Sequence, residues 1–186
     1  MQMRFLSVTL SLVCICILSA CVSTTVTPPT QTPQKNASIL QALPNAEYPV
    51  EFTRTGKAQL KDGVFEESVA PGSATKTTIR LGKEQALGDV NGDGAEDAAV
   101  TLVVDPGGSG TFTYLALVIN EKGTAKPLAA VLLGDRITVK SLAIQPGSVV
   151  VSMLTRKPDE PMSAEPKVEV TRAFKLQGDK LVEAKQ

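Results

Sequence analysis

From residue 47 onward, short runs of alternating or continuous apolar residues are separated by Gly, Pro, Asn and Asp, a texture that predicts strands and turns. "VEFT" (50–53) and "KAQL" (57–60) read as the first strands. The turn "KDG", with Asp62-Gly63, then "VFEESV" mark a hairpin. "TTIRL" follows, then an acidic loop, then "DAAVTLVV", the loop "DPGGSG" and "TFTYLALVIN". "EKG" turns the chain towards "PLAAVLL". "ITVKSLAI", "QPG" and "VVVSMLT" form another hairpin, and "KVEVTRAFKL", "QGDK" and "LVEA" close the domain. "AAVTLVV" and "FTYLALVI" are apolar at both parities, which predicts central strands covered on both faces. In "ITVKSLAI" the apolar parity slips between Val139 and Leu142, which predicts a bulge near Lys140 and Ser141. "ASILQAL" before Pro44 has room for one or two helical turns. The fold class is therefore mainly β, an antiparallel sandwich or strongly curled sheet with at most one short N-terminal helix.

The pattern changes upstream. "FLSVTLSLVCICILSA" is nearly wholly apolar behind Arg4, too short for a comfortable membrane span and closed by small residues, as in a secretory signal. "VSTTVTPPTQTPQKN" (22–36) has no apolar periodicity and reads as a disordered spacer. Three segments result: a signal over 1–20, an anchor and Thr/Pro-rich tether over 21–37, and a β domain over 38–186.

Leu18-Ser19-Ala20-Cys21 resembles the lipobox of bacterial lipoprotein precursors. The resemblance implies acylation of the Cys21 thiol and cleavage before it, while Cys14 and Cys16 leave with the signal. The mature chain would then hold a single, modified cysteine and no disulfide. Each buried acyl methylene contributes roughly 0.8 kcal/mol, so two or three chains anchor stably. The implied location is the bacterial cell envelope. In a cell with an outer membrane, Val22 would let the protein pass to it; in a single-membrane cell the anchor sits on the outer face of the plasma membrane.

Composition narrows the chemistry. Charge is balanced, 19 Lys plus Arg against 19 Asp plus Glu, which leaves no basic excess for nucleic acid. Histidine is absent, and with it imidazole metal ligands and the Ser-His and Cys-His nucleophile pairs. With five Phe, two Tyr and no Trp, stacking platforms are not expected.

Against that background "LGDVNGDGAEDAAV" (87–100) stands out. Asp89, Asn91, Asp93, Gly94 and Asp97 spell D-x-N-x-D-G-x-x-D. Oxygen donors at alternate positions let a tight loop wrap a hard cation, and Gly94 permits the turn that brings its ends together. The side chains of Asp89, Asn91, Asp93 and Asp97, with the backbone carbonyl of Ala95, form an all-oxygen set that suits calcium better than a transition metal. Glu96 is expected to point outward. The stretch resembles the calcium loops of FG-GAP repeats and, more loosely, of dockerins and EF-hands. It departs from the EF-hand at Val100, where a bidentate Glu would stand, and it does not repeat, so no propeller is implied. A metal-free Asx-rich turn and paired-carboxylate catalysis are the other readings of these residues.

Weaker signals remain. Ser109 in "DPGGSGTF" lacks the second glycine of a nucleophile elbow, and a flexible loop explains it. Asp135-Arg136 reads as a local turn pair. Arg172 shares parity with Val168, Val170, Phe174 and Leu176, which fits an inward polar group or an edge position, and the edge is the favoured expectation. The Pro-rich excursion 155–167 reads as surface or as a binding loop. The order of motifs over residues 47–182 also resembles small envelope lipoprotein domains of uncharacterised function. The expected function is non-enzymatic: a membrane-anchored, calcium-stabilised binding or scaffolding module whose partner is an envelope protein or the cell wall. An envelope hydrolase using Asp/Glu or Ser-Lys chemistry and an adhesion protein are the alternatives.

Overall fold

A computed structural model describes residues 39–184. The signal, Cys21 and the tether lie outside the described residues. The described residues open with a helical turn at 39–42 and a 3-10 turn at Leu43–Asn45, where Pro44 ends regular helix. Eleven strands follow: β1 Glu47–Pro49, β2 Lys57–Gln59, β3 Val64–Ser68, β4 Lys76–Gly88, β5 Asp97–Asp105, β6 Phe112–Glu121, β7 Thr124–Asp135, β8 Thr138–Gln145, β9 Ser148–Thr155, β10 Val168–Gln177 and β11 Lys180–Glu183. They form a two-stranded ribbon, β1-β2, a five-stranded sheet, β3-β4-β5-β6-β7, and a four-stranded sheet, β11-β10-β9-β8. Pairing is antiparallel and the larger assembly is strongly curled, as the short connections predicted.

The five-stranded sheet is the middle layer. On one face Ala98, Val100, Leu102 and Val104 of β5 and Tyr114, Ala116 and Val118 of β6 pack beneath Ile39, Leu43, Tyr48, Val50, Ala58 and Leu60 of the N-terminal segment. On the other, Ala99, Leu115, Leu117 and Ile119 meet Val149, Val151, Met153 and Phe174 of the four-stranded sheet. Both parities of β5 and β6 are therefore buried, which is why their sequences are continuously apolar. The expected bulge in β8 is present: the register with β9 shifts between Val139 and Ser141.

Two expectations are corrected. "VEFT" (50–53) forms no strand: β1 ends at Pro49, and residues 51–53 turn. Thr53 N–H and its hydroxyl both donate to Val50 O, and Gly56 N–H donates to Thr53 O. Phe52 swings over to stack on Phe112, centroids 4.9 Å apart, so the segment plugs the sheet end and adds no strand to it. Asp62 and Gly63, both at positive φ, do make the predicted tight turn, but it closes only a Lys61–Val64 bridge. Beyond it β2 pairs with β1 and β3 with β4.

The excursion after β9 is pinned by Arg156, whose Nη1 donates to Arg136 O and Ala164 O and whose Nη2 donates to Asp135 O. Arg172 faces into the sandwich rather than standing at an edge. Its guanidinium lies 5.0 Å over the Phe174 ring, donates through Nε and Nη2 to Glu183 at 2.6 Å each, and through Nη1 to Leu133 O at 2.8 Å. This ties β10 to β11 and to the facing sheet. Arg172→Gln is expected to cost about 1 kcal/mol at neutral pH, since the pair is partly solvated. Arg172 holds the Glu183 carboxyl below its usual range. A carboxyl held low stabilises the fold above its ordinary titration range and loses that contribution as pH falls through its own lowered value. The gap between the two proteins in thermal unfolding should therefore shrink towards acid pH.

Candidate functional site

The five residues expected to hold a cation lie together where the sheets meet. β4 ends at Gly88, where an added Cβ would stand 3.0 Å from the Ile144 side chain of β8, and β5 begins at Asp97. Gly88 and Asp97 are paired across the ladder, so residues 89–96 form the loop between two strands in register.

Asp89 is the hub. Its Oδ1 accepts N–H bonds from Gly92 (2.7 Å) and Asp93 (3.2 Å), and its Oδ2 accepts one from Gly94 (2.8 Å). Gly92 and Gly94 both sit at φ +80°, a left-handed conformation that turns these amides inward with little strain only for glycine. Asn91 Oδ1 accepts from Asp93 N–H, Asp93 Oδ1 from Ala95 N–H, and Asn91 Nδ2 donates to Asp93 Oδ2. Successive acceptors at alternate positions thus curl the backbone around the acidic side chains.

Asp97 forms the floor. It is 0 % exposed, and each of its oxygens accepts a buried backbone N–H: Oδ2 from Val90 at 3.0 Å, Oδ1 from Asn120 at 2.9 Å. Burial pushes the Asp97 carboxyl up from its usual range; the two N–H bonds pull it down, and Asp93 and Asp89 add a smaller upward push as like charges. The loop is clipped on both sides. Gly147 N–H donates to Val90 O, fastening it to the β8–β9 turn, while Asn120 Nδ2 donates to Glu96 O and Asn120 Oδ1 accepts from Gly123 N–H in the β6–β7 turn. Val90 itself is buried in the core between the sheets.

Two features were not anticipated. Asn120 is as central to the loop as any of its own residues, yet it lies on a different strand, and no spacing in the sequence connects it. Glu96, expected to point outward, is half-buried, and its Oε2 is out of contact with solvent and without a hydrogen-bond partner among the described residues. The bond from Asn120 to the Glu96 carbonyl holds this backbone against the domain.

Among the described residues, no three acidic, cysteine or histidine side chains are grouped closely enough to form a ready-made metal cage. The carboxylates are engaged by the loop's own amides. The donor set is nonetheless all oxygen, and an accepting carboxylate oxygen retains lone-pair capacity. Asp89, Asp93 and Asp97 are also close enough for Asp97 to feel the charge of the other two. Carboxylate, amide and carbonyl oxygens are the donor types that hard cations take. Ser109 is exposed in the loop between β5 and β6. The chain matches no protein-family profile, no curated protein and no solved structure.

Proposed function

We propose that this chain is a lipid-anchored binding or scaffolding module of the bacterial envelope, stabilised by a calcium ion in the 89–97 loop. The observation that carries the reading is the buried, doubly hydrogen-bonded Asp97 beneath a loop of further carboxylates. A desolvated carboxylate facing like charges is costly in its ionised form, and a divalent cation removes that cost. Asp89, Asn91, Asp93, the Ala95 carbonyl and Asp97 would hold the ion. It would pin a loop that joins β4 to β5 and touches the β6–β7 and β8–β9 turns, so its role is structural. Cys21 would carry the acyl anchor. The hydrolase alternative calls for a cleft carboxyl held above its usual range; Glu183, which lines a cleft, is held below it by Arg172.

Two tests address the two halves of this reading. At about 2 mM calcium and a Kd on the order of 0.2 mM, calcium adds about 1.4 kcal/mol to the folded state. A chelator should therefore lower the Tm by a few degrees, and Asp93→Ala should abolish that shift; no chelator effect would reject the site. Cys21→Ser should release the protein from membranes into the aqueous phase on detergent partitioning, and unchanged partitioning would reject the anchor.

A further inference from the structure

We propose that the mouth of the sandwich between β7, β9, β10 and β11 binds an amphiphile with one apolar chain and an oxyanion head group. The inference gives the proposed binding module a ligand class. It rests on that reading but not on calcium or the anchor.

The cleft there encloses about 830 Å³, within the range of sites that hold small ligands. Leu133, Met153, Val170 and Ala184 line it, with Arg172 and Glu183 at the rim. Leu133 and Met153 are 5 % and 1 % exposed and belong to the core between the sheets, so packed apolar side chains form the floor of this open cleft. Methionine there adapts to chains of different shape. It lies at the Thr155 end of β9, whereas the acidic loop is clipped beside Gly147 at the other end.

The polar rim decides the ligand. Among the described residues Arg172 is the cation lining this cleft, and its planar fork is fixed by Phe174 beneath it, by Leu133 O and by Glu183. Glu183 occupies the Nε–Nη2 edge of the fork, the bidentate geometry that also suits an incoming carboxylate or phosphate. The Glu183 side chain is 46 % exposed against 24 % for Arg172, so the internal carboxylate is the more easily displaced partner. An incoming head group takes its place on a guanidinium already oriented, while the chain lies along the apolar lining of the cleft. A neutral head group would leave Glu183 in place and gain nothing from Arg172.

The test titrates the full chain in lipid nanodiscs with dodecanoate, dodecyl phosphate and dodecanol, with and without calcium, and follows the backbone amides of Val170, Arg172 and Ala184 by NMR. Dodecanoate or dodecyl phosphate should shift these amides saturably, at least tenfold more tightly than dodecanol; whichever binds tighter names the head group. Arg172→Gln should reduce binding to the dodecanol level, Ala184→Trp should fill the cleft and abolish it, and Glu183→Gln should tighten it. Absence of shifts, equal binding of dodecanol in the unaltered chain, or undiminished binding by folded Ala184→Trp would overturn the proposal. The head-group comparison needs no variant to fold. Binding that persists in chelator while the calcium effect on Tm is missing would reject the calcium reading and leave this one standing.

Discussion

Asp97→Ala is expected to lower the unfolding free energy by about 3 kcal/mol or more, because it leaves two buried backbone N–H groups, each costing roughly 1–3 kcal/mol, without an acceptor. Those groups belong to Val90 and Asn120, on opposite sides of the loop. The substitution therefore releases the loop from β6 as well as from its own start. For a domain of this size the Tm should fall by roughly 10 °C in thermal unfolding followed by circular dichroism. Asp97→Asn should be nearly as harmful, since one of its two side-chain positions becomes a donor facing a donor. A loss under about 1 kcal/mol for either variant would show that these amides find water, and that Asp97 is not the floor of the loop.

Phe174→Ala should cost more still, about 3–5 kcal/mol, the range for emptying a fully buried aromatic position. Phe174 is 0 % exposed and packs from β10 into the core shared by the two larger sheets. It also carries the Arg172 guanidinium on its ring face, so its removal loosens the tie from Arg172 to Glu183 and Leu133. Denaturant unfolding should show a lower midpoint with little change in slope. A cost near 1 kcal/mol would mean that the sheets close over the void, and hence that the gap between them is not tightly packed.

The central and C-terminal strands were legible because burial wrote itself into their residues. β5 and β6 are apolar at both parities since a layer covers each face, and the slip from Val139 to Leu142 marked the register shift in β8. The opening strand was not legible, although "KAQL" does form β2 over Lys57–Gln59. Glu51, Phe52, Thr53 and Arg54 alternate like a strand, but their side chains are used in turns and long-range contacts: Glu51 accepts from the Tyr114 hydroxyl, Phe52 stacks on Phe112 and Arg54 pairs with Glu67. The far half of β4 was hidden for another reason. Its register with β5 shifts between Leu81 and Gln85, and a Cβ at Gly82 would strike Thr101 Oγ1, so charged residues and a glycine interrupt the alternation inside a continuous strand.

At the loop, spacing alone brought Asp89, Asn91, Asp93, Ala95 and Asp97 into one small volume, because local acceptors curl the backbone whatever the rest of the fold does. It could not reveal that Asp97 is sealed from solvent, or that Asn120 locks it, since both depend on β6 lying alongside. Likewise the parity of Arg172 with Val170 and Phe174 left an inward polar group and an edge position both open. Only the sheet facing it, with Leu133 O, makes it an inward-facing fork.

If an ion sits among these oxygens, the backbone amides of Gly92 and Gly94 report on it most directly, because both donate to Asp89. Calcium added to the full chain should move these two resonances saturably with a Kd on the order of 10⁻⁴ to 10⁻³ M, and Asp89→Asn should remove the response. Resonances that stay fixed up to about 20 mM calcium, far above that range, would contradict the account.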